Sequence, residues 1–321
     1  MPLFFLRRLL SFVLTLLATS VVVFAVLELL PGNAAQVILG ETATPESIAA
    51  MEDKLGLNQP AAARYLNWMG GMLQGQTGLS ISYDTPTAQL MAERMQVTLP
   101  LAVMAMGFTV ALALALGIYA ASQQNKAGDV GVMTLSQLGL ALPNFWLAIL
   151  LILLFAVHLE WVSAGGFPGW SEEDGGGVGE GIKALLLPAM ALAAVQTAIL
   201  TRVTRSAVLD TLREDFVRTA RAKGLSRRQV LWGHVLRNAM IPVLTVMGLQ
   251  FGNLITSAIV IENVFVLPGI GRLIFQAIAN RDLIVVRDVV MLLSALVILI
   301  NFCIDVLYAW IDPRLKAGHA E

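Results

Sequence analysis

Hydrophobic positions along this chain come in long unbroken runs, without the alternation or 3.6-residue rhythm of elements that keep one face wet. Six runs are long enough to cross a hydrocarbon layer of ~30 Å, which takes about 20 helical residues. They are approximately Leu9–Leu30, Leu99–Ala121, Val132–Val157, Ala184–Arg202, Ala239–Ile261 and Val289–Trp310. Backbone N–H and C=O groups meet no water at that depth, so each run is predicted to be a helix that pairs them internally. The expected fold is an all-α integral membrane protein with about six transmembrane helices.

The polar stretches between the runs are unequal. The longest, residues 31–98, is predicted to form a small helical insert after the first span. Thr44-Pro45-Glu46 reads as an N-cap, a first-turn proline and a first-turn acid, and Gly56 supplies a stop. A second helix is predicted from Pro60 to about Met72, with Tyr65, Trp68, Met69 and Met72 on one side. That face suits a packed cap on the bundle, the preferred reading, or a position on the membrane surface. The chain thus divides into a tail and first anchor (1–30), the insert (31–98), a five-helix core (99–311) with a loop at 206–237, and a short tail (312–321). The first run follows Arg7 and Arg8 as in a signal peptide. It exceeds the apolar length of about 7–15 residues typical of such a peptide, and is read as an uncleaved anchor.

Composition agrees with a lipid solvent. The chain is 57% hydrophobic and only 13% charged, against roughly a quarter charged in a soluble domain. A net charge of −1 gives no reason to expect nucleic acid. Its distribution is more telling. With the N-terminus in the cytoplasm, fourteen of the 21 lysines and arginines fall on that side: Arg7, Arg8, Lys126, the nine from Arg202 to Arg237, Arg314 and Lys316. Cytoplasmic segments carry such an excess, so the orientation is N-in, C-in.

Several chemistries find no footing. The one cysteine, Cys303, lies in an apolar run, and the three histidines, His158, His234 and His319, are far apart, so neither a disulfide nor a metal site is expected. Gly175 to Gly181 read GGGVGEG beside Glu172, Glu173 and Asp174. No strand precedes them and no GxxxxGK[ST] occurs, so an acidic flexible loop is expected and no cofactor is assigned to this chain.

The loop between the fourth and fifth spans is the most informative segment. From Asp215 to Pro242 it reads DFVRTARAKGLSRRQVLWGHVLRNAMIP. Asp210, Glu214 and Asp215 enrich the early part of a first helix, and Lys223 sits in its last turn, as the helix dipole favours. Gly224 suits the position just past the helix end. Ser226 then caps a new helix, with Gln229 three residues on completing a capping box. A basic helix–turn–helix at a membrane face can lie on anionic lipid or insert its turn into a cytoplasmic partner. Composition alone leaves both open.

This loop resembles the EAA loop of binding-protein-dependent ABC importer permeases, with Arg218-Thr219-Ala220, three residues, then Gly224. Arg218 stands where the short consensus has glutamate, and Pro242 comes late; both are features of the dipeptide/oligopeptide/nickel branch. Further fragments are similar to that branch, in order along the chain: Leu30-Pro31-Gly32, Thr44-Pro45-Glu46, Leu55-Gly56-Leu57, Arg64-Tyr65, Pro143 with Phe145-Trp146-Leu147, Gly165-Gly166-Phe167, Glu262-Asn263-Val264-Phe265, Pro268-Gly269-Ile270-Gly271, Arg281-Asp282, Asn301, Asp305, Tyr308 and Asp312-Pro313-Arg314.

The resemblance, to the first permease subunit type, implies a multi-pass protein of a bacterial inner membrane. It implies that two permease subunits, usually non-identical, form the pore. Two cytoplasmic ATPase subunits would bind ATP and Mg, and an external solute-binding protein would deliver a peptide, nickel, glutathione or sugar-like solute. Arg218, Thr219, Ala220, Ala222, Lys223, Gly224, Leu225 and Ser226 would form the coupling loop seated in an ATPase groove.

Ionisable groups in lipid mark functional or interhelical positions. Asn301 and Asp305, four apart on the last span, are read as a packed polar pair. Glu262 and Asn263, at the outer end of the fifth span, are candidates for the pathway or a gate, with a plain helix end as the competing reading. The alternative function is an ATPase-independent secondary transporter or channel, and a structural scaffold is a third reading. The single large basic loop and the scarcity of intramembrane charge speak against the transporter.

Overall fold

The computed structural model describes residues 2–29, 35, 39 and 43–311, and they are helical almost throughout. α1 spans Pro2–Leu29, and the insert after it holds α2 (Pro45–Leu55) and α3 (Ala61–Leu73). Then come α4 (Thr87–Ser122), α5 (Ala127–Ala141) and α6 (Asn144–Leu151), which runs on as a π-helical stretch, Ile152–His158. α7 (Val178–Leu212) is followed by α8 (Asp215–Ala222) and α9 (Arg227–Val230). A second π-helical stretch, Leu231–Val235, joins α9 to α10 (Leu236–Val264), and α11 (Ile270–Ala279) and α12 (Leu283–Ile311) complete the described residues. Leu30-Pro31-Gly32, Asp312-Pro313-Arg314, the tail 312–321 and the side chain of Tyr308 lie outside the described residues.

Among the described residues five helices are long and apolar enough to cross a membrane: Leu6–Leu29, Thr87–Ser122, Val178–Leu212, Arg227–Val264 and Leu283–Val306. The third expected crossing differs from the prediction. Val132–Val157 is not one helix; α5 and α6 meet at 103°. Pro143 is the physical reason, because it brings no N–H and its ring pushes Leu142 into an extended conformation (φ −91°, ψ 129°). Counted as one bent crossing, the pair makes six. Pro100, Pro188 and Pro242 sit inside helices that continue past them.

The core lies between α4, α7 and α10, where Leu101, Ala105, Leu185, Ala189, Leu192, Leu254 and Ala258 are buried together. Small residues let crossing helices approach closely where lipid gives no hydrophobic drive. At Gly117 a Cβ would sit 2.6 Å from Thr204 Cβ and 2.9 Å from the Thr201 carbonyl, so α4 meets α7 there at backbone distance.

The insert forms as its caps dictate. Thr44 accepts from the Ser47 N–H, Pro45 opens α2, and Gly56 closes it in the left-handed region (φ 66°). Tyr65, Trp68, Met69 and Met72 of α3 pack on Val23, Phe24 and Leu27 of α1 and Met291 of α12, as a packed cap requires. Trp68 Nε1 donates to Asp288 Oδ1 at 2.9 Å, the Arg287 guanidinium lies over the Trp68 ring at 4.7 Å, and Arg64 pairs with Glu28. The insert is therefore tied to both the first and last crossings.

Candidate coupling loop and buried acidic anchors

The basic loop folds as a helix, a left-handed turn and a second helix. Val217 and Ala220 of α8 are buried against Val208, Leu209, Val230, Val235 and Ala239, while Arg218 and Arg221 face outward. Arg218 pairs loosely with Asp215 at 3.4 Å, and Thr219 Oγ1 donates to the Asp215 carbonyl at 3.1 Å. Gly224 sits at φ 87°. Its N–H donates to the Arg221 carbonyl (2.9 Å) and the Leu225 N–H to the Ala220 carbonyl (3.4 Å), which satisfies the helix end. A Cβ at Gly224 would touch nothing within 4 Å, so the glycine answers to backbone conformation alone.

Ser226 then accepts from the Gln229 N–H at 3.3 Å, and Gln229 Oε1 accepts from the Ser226 N–H at 2.9 Å. The predicted capping box is present. Ala222, Lys223, Gly224 and Ser226 are exposed, whereas Leu225 is half-buried against the hydrophobic cluster below. Leu225 therefore anchors the turn, and its neighbours present the surface. α9 runs through the π-helical stretch into α10, so the turn is followed by helix that continues into a crossing.

At the far end of α10, Glu262 is 0% exposed. Its carboxylate accepts from Thr98 Oγ1 (2.6 Å) and from the Gly271 N–H (2.6 Å), and Thr98 Oγ1 in turn accepts from the Ile270 N–H (2.9 Å). The acid thus fills the start of α11, whose N-cap, Gly269, has no side chain to offer. Gly269 and Gly271 leave the space: a Cβ at 269 would overlap the Glu262 carboxylate, and one at 271 would meet Ile259 Cα. Asn263 Nδ2 donates to the Ile259 carbonyl at 2.8 Å. Glu262, a candidate for the pathway or a gate, is thus buried within this chain, with its carboxylate bonded to α4 and to the start of α11.

Asp305, read as one half of a polar pair with Asn301, pairs with Arg8 of α1 at 2.7 Å, both side chains partly exposed, while Asn301 is exposed on the same helix. The polar partner of Asp305 comes from another crossing. Two further buried acids are Asp282, which entered the sequence reading only within the Arg281-Asp282 fragment, and Asp288, which did not enter it. Asp282 accepts from Ser80 Oγ (2.6 Å) and the Ser82 N–H (3.1 Å), and Asp288 from Thr87 Oγ1 (2.5 Å) as well as Trp68. Asp282, just before α12, holds the segment before α4, and Asp288 of α12 holds the first residue of α4 and Trp68 of α3. The signal available for them was an Arg-Asp pair beside or within a predicted apolar segment.

Comparison with known proteins bears on the whole chain. Residues 1–112 match the family described as binding-protein-dependent transport system membrane component, N-terminal, and residues 113–317 match the binding-protein-dependent transport system inner membrane component. The chain is 38% identical over 326 residues to a dipeptide transport system permease protein of Alkalihalophilus pseudofirmus, covering 97% of this chain and 98% of that one. It is 37% identical over 330 residues to a di/tripeptide transport system permease protein of Pseudomonas aeruginosa, covering 98% of each. A glutathione transport system permease protein of Salmonella choleraesuis is 40% identical over 311 residues, covering 97% of this chain and 98% of that one. Among solved structures, inward-facing MetNI methionine ABC transporter shares the fold at a TM-score of 0.58 and 17% identity, over 70% of this chain and 97% of that one.

Proposed function

The chain belongs to the family of binding-protein-dependent transport system inner membrane components, and we propose that it is the half-pore of a peptide importer whose drive enters at the Gly224 turn. Permease subunits of this family are pore components of a multi-pass inner-membrane complex, and ATP chemistry is assigned to separate ATPase subunits. Two permeases would pair, two ATPases would dock on the cytoplasmic face and bind ATP and Mg, and an external solute-binding protein would supply the substrate. The orientation is N-in, C-in, with the insert 31–98 outside and the loop 206–237 inside. The peptide assignment is supported by relatives named for dipeptide, di/tripeptide and glutathione transport.

One observation carries the mechanism. The exposed turn at Lys223-Gly224 and Ser226 rests on a buried apolar base, and the helix after it is continuous with a crossing. A turn so built transmits displacement instead of absorbing it. When ATP draws the two ATPases together, the turns would be pulled together, and the bundle would exchange one packed arrangement for another, as rigid elements at bistable interfaces do. Co-purification tests the assignment: detergent extraction of the native complex should recover ATPase subunits with this chain, and their loss on altering the turn alone should follow.

A further inference from the structure

The break between α5 and α6 puts non-helical backbone inside a crossing. α5 has 15 residues, a contour of about 22 Å, so the break lies well within a hydrocarbon layer of ~30 Å. Among the described residues no side chain caps either side of it, and Pro143 contributes no N–H. Irregular backbone at such depth is tolerated where it meets protein or water, not lipid.

A polar face of α5 leads to this break. Asp129, Val130, Met133, Thr134 and Gln137 lie on one side of the helix, at spacings of three and four, and Ala141 continues that side to its end. With Asn125 and Arg205 the first five line a cavity of about 450 Å³. Asp129 and Arg205 neutralise each other through a two-point contact at 2.5 and 2.6 Å. Further along, Arg202 donates to Gln137 Oε1 at 2.7 Å. Its partner there is a neutral amide, so its charge is not cancelled by that bond. Thr134, Gln137, Ala141 and Arg202 are all exposed, and for the Gln137 amide and the Arg202 guanidinium exposure is costly against lipid.

We infer that this face of α5, from Asp129 to the Leu142–Pro143 break, lines the aqueous translocation pathway, and that Arg202 biases its cytoplasmic half toward solutes bearing a carboxylate. The inference rests on the permease function proposed above and adds to it the wall along which the solute moves. A carboxylate-bearing peptide suits the bias, because Asp129 is already paired and Arg202 presents the positive charge. The competing cover for the break is a dry contact with the second permease.

Thiol accessibility distinguishes these. The native complex is prepared in inverted membrane vesicles, with Cys303→Ser and a single cysteine at Thr134, Ala141 or, on the opposite side of α5, Leu135. Anionic sulfonatoethyl and cationic trimethylammonium-ethyl methanethiosulfonates are the probes, used with and without ATP. A thiol reacts as thiolate, which needs water. Thr134→Cys and Ala141→Cys should react and Leu135→Cys should not. Relative to a free thiol, the anionic reagent should be favoured by about threefold or more, and Arg202→Gln should abolish that preference. No reaction at 134 and 141 in either state, in a complex that still holds its ATPases, overturns the pathway wall and leaves the permease reading intact. Reaction without an anionic preference overturns the role of Arg202. A complex that yields no ATPase even when unmodified counts against the permease reading itself.

Discussion

Glu262 and Thr98 meet at 2.6 Å inside the protein, and through that contact three helices close on one point. Glu262 lies in the last turn of α10, Thr98 belongs to α4, and further hydrogen bonds of the pair reach the Ile270 and Gly271 N–H groups that open α11. The acid does for α11 what an N-cap side chain does elsewhere, from a neighbouring helix.

Glu262→Ala should therefore damage folding before it damages chemistry. It strands the Gly271 N–H, which costs about 1–3 kcal/mol when buried without a partner, and leaves the Thr98 hydroxyl only its 3.4 Å contact to the Arg94 carbonyl as donor. Glu262→Gln keeps a carbonyl oxygen to accept from the same donors and should preserve much of the stability. The melting temperature of the detergent-solubilised protein is the readout. A fully stable, abundant Glu262→Ala variant with abolished transport would return the residue to the pathway.

Much of the fold can be read from the chain because lipid allows few solutions. The long apolar runs, the capping residues Thr44, Gly56, Gly224 and Ser226, and the face of Trp68 each report a local rule that nothing distant overrides. The exceptions have nonlocal causes. Pro143 lies in a run as apolar as the others, and Pro100, Pro188 and Pro242 show that proline alone does not decide between a kink and a 103° turn. Glu262 faces inward because Gly269 and Gly271, several residues on, leave room for its carboxylate. Asp305 finds Arg8 almost 300 positions away, a pairing no spacing rule could suggest.

Trp68 and Asp288 join the insert to the last crossing. Trp68→Phe keeps an aromatic ring but removes the indole donor, leaving Asp288 Oδ1 with only the 3.3 Å contact to Arg287. A loss of about 1–3 kcal/mol is expected, with faster proteolysis of the insert in spheroplasts than in wild type. Unchanged proteolysis and melting would show that the indole bond does not hold the insert in place.

Orientation rests on charge and is checked with a reagent that cannot cross the membrane. Ser171, Asp84 and Ser226 are all exposed. In a Cys303→Ser background, needed because Cys303 is itself exposed and free, cysteines at 171 and 84 should label in intact cells and one at 226 should not. External labelling at 226 would invert the protein and remove the ATPase contact.

The Arg8–Asp305 pair joins the first and last crossings at partly exposed side chains, so its contribution is small, on the order of 0–1 kcal/mol. Asp305→Asn keeps size and hydrogen bonding and should assemble and transport nearly as well as wild type. If transport is instead abolished at normal abundance, and the Arg8→Asp, Asp305→Arg exchange does not restore it, Asp305 acts in the pathway and not as a strut.

The turn at Gly224 gives the sharpest test of the function, because conformation and contact separate there. At φ 87° a side chain costs ~1 kcal/mol or more, yet a Cβ would meet nothing within 4 Å of this chain. Asparagine tolerates the left-handed region better than other residues, so Gly224→Asn should keep the turn. Gly224→Asp adds a negative charge to a basic surface and should disturb a packed partner more than it disturbs this chain. Both variants should reach the membrane at normal abundance, since the crossings are untouched. Gly224→Asp should lose bound ATPase and transport, and Gly224→Asn should retain a measurable share of both. If the loop only rested on anionic lipid, one altered residue among nine basic ones would change little. A Gly224→Asp protein that still held its ATPase and transported at the wild-type rate would therefore remove the coupling role from this turn.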